Sequence, residues 1–238
     1  MCKTYFIISD IHGHYNEMIE SLKLNNYDKN NNAHHLVVLG DMFDRGNQSK
    51  EVLEYMYKLK LENKVSIVLG NHESFLIEFL DGNFSRALFN MKFNGFTKTL
   101  ESLSGEKLIL EDNLHEVNFK IKEKYIYLYN LLKSLPVFIE IKDYIFVHGG
   151  VKYGIKNWKE NSERDFIWGR ESQYEMVPGK TVVCGHERVS TIRYPKKDQK
   201  KLFISNPEAF DILKSDGKIY IDAYVEISKK INVLKLEL

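Results

Sequence analysis

The chain has 238 residues, 43% of them hydrophobic, which suits one α/β domain with a sizeable core. Lysine and arginine total 34 against 33 aspartate and glutamate, so a net charge of +1 provides no overall field to gather nucleic acid or an anionic membrane. With only Cys2 and Cys184 present, the composition argues against a disulfide scaffold or a cysteine-built zinc site, and each thiol reads as buried or incidental.

In chain order, the apolar run at residues 5–8 predicts a strand that passes at once into Ser9-Asp10-Ile11-His12-Gly13. The run is too short for a signal peptide or a membrane span, so a cytoplasmic protein without membrane contact is expected. Tyr15, Met18, Ile19 and Leu22 follow at helical spacing, and the polar stretch 30–35 reads as a loop. A second run, 36–39, leads into Gly40-Asp41, and Val52, Met56 and Leu59 mark the next helix. A third run, 65–69, ends at Gly70-Asn71-His72. The segment of about 83–130 is mostly helical, carries no such loop, and is expected to form a cap beside the site.

Residues 137–141 and 144–147, separated by Lys142-Asp143, predict a hairpin whose second strand ends at His148. The run 181–184 precedes Gly185-His186, and 219–222, 224–227 and 233–238 read as closely spaced antiparallel strands. No repeat, low-complexity tract or linker interrupts the chain, so residues 1–238 are expected to form a single domain. Alternating strands and helices in the first half imply parallel β-α-β units, whose loops gather at the carboxyl edge of a sheet. The expected architecture is α/β, two packed mixed sheets flanked by helices.

Asp10, His12, Asp41, Asn71, His148 and His186 each follow a predicted strand, and all are oxygen or imidazole ligand types. They exceed the roughly three to four protein ligands of a mononuclear zinc site, so two metals, with Asp41 bridging ions about 3.5–4 Å apart, is the economical reading. A hydroxide shared between such ions would attack phosphorus, while the ions offset charge on the phosphoryl oxygens.

The motifs Asp10-Ile11-His12-Gly13, Gly40-Asp41-Met42-Phe43-Asp44-Arg45-Gly46, Gly70-Asn71-His72-Glu73 and His148-Gly149-Gly150 stand in order. An Asp-x-His alone is common in loops; the ordered set resembles the phosphoprotein phosphatase family, most closely its bacterial and bacteriophage branch, over roughly residues 5–225. The resemblance implies a calcineurin-like metallophosphoesterase fold and a serine/threonine protein phosphatase, with phosphotyrosine as a side activity. It places Asp10 and His12 on the first metal, Asp41 between the metals, and Asn71, His148 and His186 on the second. His72 is implied as general acid, Asp44 as the group that orients it, and Arg45 and Arg170 as phosphate clamps. Arg170 lies in Ile167-Trp168-Gly169-Arg170-Glu171. Manganese is the expected metal, with iron or zinc as alternatives.

Two other readings stand beside this one. A symmetrical diadenosine tetraphosphate hydrolase shares the same motifs, and a non-catalytic metal-binding module would need none of His72, Asp44, Arg45 and Arg170. The chain departs from the family pattern at Ser9, at Glu187 after His186, and at Ala223-Tyr224 after Asp222, which bears on substrate choice. Gly13, Gly46, Gly70 and Gly185 fit loops drawn close to a site. His14, His34, His35 and His115 read as solvated or capping, Trp168 as packing, and Lys196, Lys197, Lys200 and Lys201 as a solvated cluster. Pro178-Gly179-Lys180-Thr181 resembles the end of a P-loop, but Tyr174 stands where its upstream glycine belongs.

Overall fold

Three parallel strands, β1 (Thr4–Ile8), β2 (His34–Val38) and β3 (Val65–Ile67), are joined by helices α1 (Tyr15–Leu24) and α2 (Ser49–Leu61). The computed structural model describes residues 3–108, 113–152, 157–170 and 176–238. Cys2, Glu171 and Tyr174 lie outside the described residues. The amphipathic spacing of the helices is used as expected, with α1 burying Met18 and Leu22 and α2 burying Val52, Met56 and Leu59.

The last strand, β9 (Leu234–Glu237), runs antiparallel to β1 and completes a sheet of order β3-β2-β1-β9. A second sheet is built from β4 (Phe138–Ile141), β5 (Tyr144–Val147), β6 (Thr181–Cys184), β7 (Leu213–Ser215) and β8 (Lys218–Tyr220), in the order β4-β5-β6-β8-β7. Side chains alternate between two apolar environments, as a strand's two-residue period requires. Ile7, Val37 and Val68 from the first sheet meet Phe146, Val183 and Ile219 from the second. Their neighbours Phe6, Ile8, Leu36, Val38, Ile145 and Val147 face outward into helix-covered core. Burial on both faces is why the strands read as unbroken apolar runs.

The stretch after β3 folds as helices α3 (Asn71–Leu80), α4 (Phe84–Phe93), α5 (Phe96–Ser104), α6 (Leu114–Lys124) and α7 (Leu128–Lys133). Among the described residues no helix is long and apolar enough to cross a membrane. Helices α8 (Glu163–Trp168), α9 (Val189–Arg193), α10 (Gln199–Ser205) and α11 (Val225–Ser228) lie in the second half of the chain, with α10 packed against α11.

Several sequence expectations are corrected. His34 and His35 belong to β2 rather than to a loop, because the His34 ring packs 4.8 Å from Phe6 and His35 Nε2 meets Ser66 Oγ at 2.9 Å. With His14, which pairs with Glu17 at 3.5 Å, they are half-buried; His115 alone of the four is exposed. The predicted strand at 224–227 is the helix α11. The C-terminal strands pair differently from that expectation: β8 forms an antiparallel hairpin with β7, which precedes it, and pairs parallel with β6, while β9 crosses to the other sheet. The expected burial of Cys184 is observed, and burial raises its thiol. Lys196, Lys197, Lys200 and Lys201 are exposed, with Asp198 capping the start of α10.

Candidate active site

The carboxyl ends of β1, β2, β3, β5 and β6 deliver Asp10 and His12, Asp41, Asn71, His148 and His186 to one place. Their loops are laced by main-chain bonds: Asp10 N–H donates to Gly40 O (3.2 Å), His12 N–H to Asp41 O (3.0 Å), Gly46 N–H to His12 O (2.8 Å) and Gly185 N–H to His148 O (2.9 Å). Contact is so close that a Cβ at Gly46 would lie 2.4 Å from the carbonyl oxygens of His12 and Gly13. Asp10, His12, Asp41, Asp44, Arg45 and His186 all have positive φ, between 47° and 73°. Such backbone costs on the order of 1–3 kcal/mol per non-glycine residue and persists only where surrounding structure enforces it.

The His12 and His148 imidazoles are each held by one nitrogen with the other aimed inward. His12 Nδ1 donates to Phe43 O at 2.9 Å, which leaves Nε2 as the nitrogen with a lone pair. That Nε2 is buried without a hydrogen-bond partner, 3.8 Å from both Asp10 Oδ1 and Asp41 Oδ2. His148 Nδ1 donates to Leu39 O at 2.6 Å, and its Nε2 faces Asn71 Oδ1 at 2.9 Å and Asp41 Oδ1 at 3.3 Å. His186 Nε2 is likewise buried without a partner. A nitrogen lone pair turned toward carboxylate oxygens is repulsive unless a cation lies between them, so the donor set fits divalent metal. Among the described residues two overlapping groups have metal-ligand spacing: Asp41 with His12 and His72, and Asp41 with His148 and His186. Asp41 is common to both; the first group also counts His72, whose Nε2 lies 3.7 Å from Asp41 Oδ2 and whose Nδ1 is taken by Asp44.

The charges divide the three imidazoles. Burial, joined by Asp41 and opposed by His148, pushes Asp10 up to about 6. Burial and His148 bring His186 down to about 3; burial, Arg45 and His72 hold His12 well below its usual range. Both rings are therefore neutral, the form that binds metal. Burial works against a charge on His148, yet Asp41 beside it draws the ring up to about 10. Burial also acts to raise Asp41, and the His148, His72 and His12 imidazoles outweigh it and hold the carboxylate well below its ordinary value.

His72, next to Asn71 at the start of α3, turns its ring to a different partner. Its Nδ1 lies 2.5 Å from Asp44 Oδ2, and Arg45 Nη2 donates to Nε2 at 3.3 Å. Asp44 is itself fixed: its Oδ1 accepts from Thr99 Oγ1 (2.5 Å), and its N–H donates back to the same hydroxyl oxygen (2.7 Å). Above these groups opens a cleft of about 410 Å3, lined by Arg45, His72, Arg170, His186 and Arg188 among others. Phe89 and Asn94, brought in by the segment expected to form a cap, stand on its rim with Trp168. Trp168 packs its ring on Phe75 and His186, as a packing residue would. Arg170 is exposed, 3.7 Å from Glu187.

Three residues at the site went unassigned in the sequence reading. Glu73 is fully buried and accepts N–H bonds from Asp41 (2.8 Å), Met42 (2.8 Å) and Gly70 (3.0 Å), tying the β2 loop to the start of α3. Burial, reinforced by Asp41, pushes its carboxyl up to about 7. Its signal was present, since a glutamate three residues after a helix N-cap is the capping-box position. Glu226 meets Arg45 at 3.1 Å, and Thr99 holds Asp44; both come from distant segments that no local pattern connects to the site.

A model of the calcineurin-like phosphoesterase family matches residues 3–224, and the chain belongs to that family, with its α/β fold of two mixed sheets and its use of divalent metals. The chain is 41% identical over 106 residues to a symmetrical bis(5'-nucleosyl)-tetraphosphatase of Buchnera aphidicola subsp. Acyrthosiphon pisum, covering 44% of this chain and 35% of that relative. It is 30% identical over 169 residues to an asymmetrical bis(5'-nucleosyl)-tetraphosphatase of Oceanobacillus iheyensis, covering 68% and 62%. The matches thus span less than two thirds of either relative. Among solved structures, a serine/threonine phosphatase of Saccharomyces cerevisiae superposes with a TM-score of 0.56 at 14% identity, covering 99% of this chain and 80% of that one. A cold-active protein-tyrosine phosphatase of Shewanella gives 0.55 at 18%, covering 100% and 76%. Identities this low speak for a common fold.

Proposed function

We propose that the protein is a divalent-metal-dependent phosphoesterase of serine/threonine phosphoesters, with Asp10, His12, Asp41, Asn71, His148 and His186 holding two ions. The carrying observation is the buried Asp44–His72 pair set beside those converging ligands. Two bound cations, with manganese the first choice and iron or zinc the others, would ready water for attack and offset charge on the phosphoryl oxygens. The side chains supply the rest. Arg45 and Arg170 grip phosphoryl oxygens as guanidinium forks. Asp44 holds the Nδ1 proton of His72 and would stabilise its imidazolium, whose second proton, on Nε2, passes to the leaving alkoxide and leaves the neutral ring. A phosphate that draws Arg45 toward itself also frees Nε2 from its present donor.

A second reading, hydrolysis of dinucleoside tetraphosphates, is favoured by the names of the two relatives that this chain resembles in sequence. The test is a substrate panel on protein reconstituted with each metal: phosphoserine, phosphothreonine and phosphotyrosine peptides, diadenosine tetraphosphate and p-nitrophenyl phosphate. Metal-dependent turnover of at least one class is expected. Stoichiometric metal with no turnover of any would leave a binding module.

A further inference from the structure

Beyond Arg45 and Arg170, a third guanidinium, that of Arg188, lines the cleft. Two neighbours hold it. Its Cζ lies 3.7 Å from the centroid of the Tyr224 ring, and its Nη2 lies 3.7 Å from Glu226 Oε1. The same oxygen accepts from Arg45 Nη1 at 3.1 Å, so one carboxylate joins Arg45 and Arg188. The other oxygen of Glu226 is buried with no hydrogen-bond partner.

Tyr224 takes a strained backbone to reach this position. Its φ of 53° lies in the left-handed region that a bulky side chain disfavours. The residue is kept there by its N–H bond to Asp222 Oδ1 (2.7 Å) and by the first turn of α11, where Ser228 N–H reaches Tyr224 O at 3.0 Å. Strain of this kind is retained where surrounding structure enforces it and a site uses it. Its effect here is to lay an aromatic face against Arg188. A guanidinium stacked by its face keeps its N–H edge for in-plane acceptors. Since Arg45 and Arg188 both reach a single oxygen atom, the anions they would grip are neighbours, as contiguous phosphoryl groups are. The flanking carboxylate of an acidic peptide stands farther from its phosphoserine.

We propose that Arg188, held by Tyr224 and Glu226, is a specificity residue that grips a phosphate bonded to the one held by Arg45 and Arg170. The site thereby favours substrates with two or more contiguous phosphoryl groups, such as nucleoside polyphosphates. The proposal rests on the phosphoesterase reading above and, of its two substrate classes, moves the preference from serine/threonine phosphoesters to the dinucleoside tetraphosphates of the second reading.

The experiment compares orthophosphate with methylenediphosphonate, a non-hydrolysable pair of linked phosphonates, by calorimetric titration of manganese-loaded protein at buffered free metal. Methylenediphosphonate should bind more tightly, and Arg188→Ala should cut that preference roughly tenfold or more. Tyr224→Gly, which relaxes the backbone while removing the ring, should act in the same direction by a smaller factor. An unchanged preference in Arg188→Ala would overturn the proposal. So would turnover by Arg188→Ala that falls equally for diadenosine tetraphosphate and a phosphoserine peptide, or a selective fall for an acidic phosphopeptide. The titrations need no turnover, so a catalytically silent protein would sink the phosphoesterase reading and still report on Arg188.

Discussion

Asp44 Oδ2 and His72 Nδ1 lie 2.5 Å apart with both side chains buried, and that contact settles which imidazole nitrogen faces the cleft. His72→Asn should lower kcat by about 10²–10⁴ while elemental analysis finds the metal content unchanged, because the ring is engaged by Asp44 and Arg45. Asp44→Asn should behave similarly, since an amide can select the other tautomer. Metal lost from His72→Asn would make that ring a ligand and remove it as the acid.

The two clamp arginines should differ in what they report. Arg170 has 58% of its side chain exposed and lies 3.7 Å from Glu187, so Arg170→Ala should raise KM by about tenfold with little change in fold. Arg45 touches both Glu226 and His72, so Arg45→Ala should depress kcat as well as raise KM. Steady-state kinetics on a small aryl phosphate separates these effects. Equal losses confined to KM would mean that Arg45 does not act on His72.

Glu73 carries a different load, with three main-chain N–H groups converging on one carboxylate. Glu73→Gln turns amide hydrogens toward those donors, and the cost should be about 2–3 kcal/mol of stability. A urea midpoint measured on metal-free protein reads this directly. An unchanged midpoint would show that the brace is dispensable.

Removal of metal should also be visible in stability. Any ligand that binds only the folded state stabilises it by RT ln(1 + [L]/Kd), about 2.7 kcal/mol at a hundredfold excess over Kd. For a domain of this size, chelation should therefore lower Tm by roughly 5–10 °C. A melting curve indifferent to chelator and to added manganese would argue that the buried lone pairs of His12 and His186 accept no cation.

Much of the first half was legible because its strands are buried on both faces and stop abruptly at ligand-bearing loops. Residues 144–147 and 181–184 were read to their ends for the same reason. The C-terminal part was not. β7 spans three residues, Leu213–Ser215, mostly exposed, and so presents no apolar run. Residues 224–227 have strand-like composition, but the left-handed Tyr224 and its bond to Asp222 turn the chain into α11. Pairings that depend on the whole fold, such as β9 against β1 or Thr99 against Asp44, leave no trace in any window of sequence.

The left-handed loop backbones carry a consequence for the order of events in the cell. The proposed ligands run from Asp10 to His186 and follow strands of both sheets, four of them, Asp10, His12, Asp41 and His186, on left-handed backbone. Only the two sheets together bring all six to one place. Ion capture by such a set would follow folding rather than drive it, unlike small zinc modules that stay unfolded until the ion arrives.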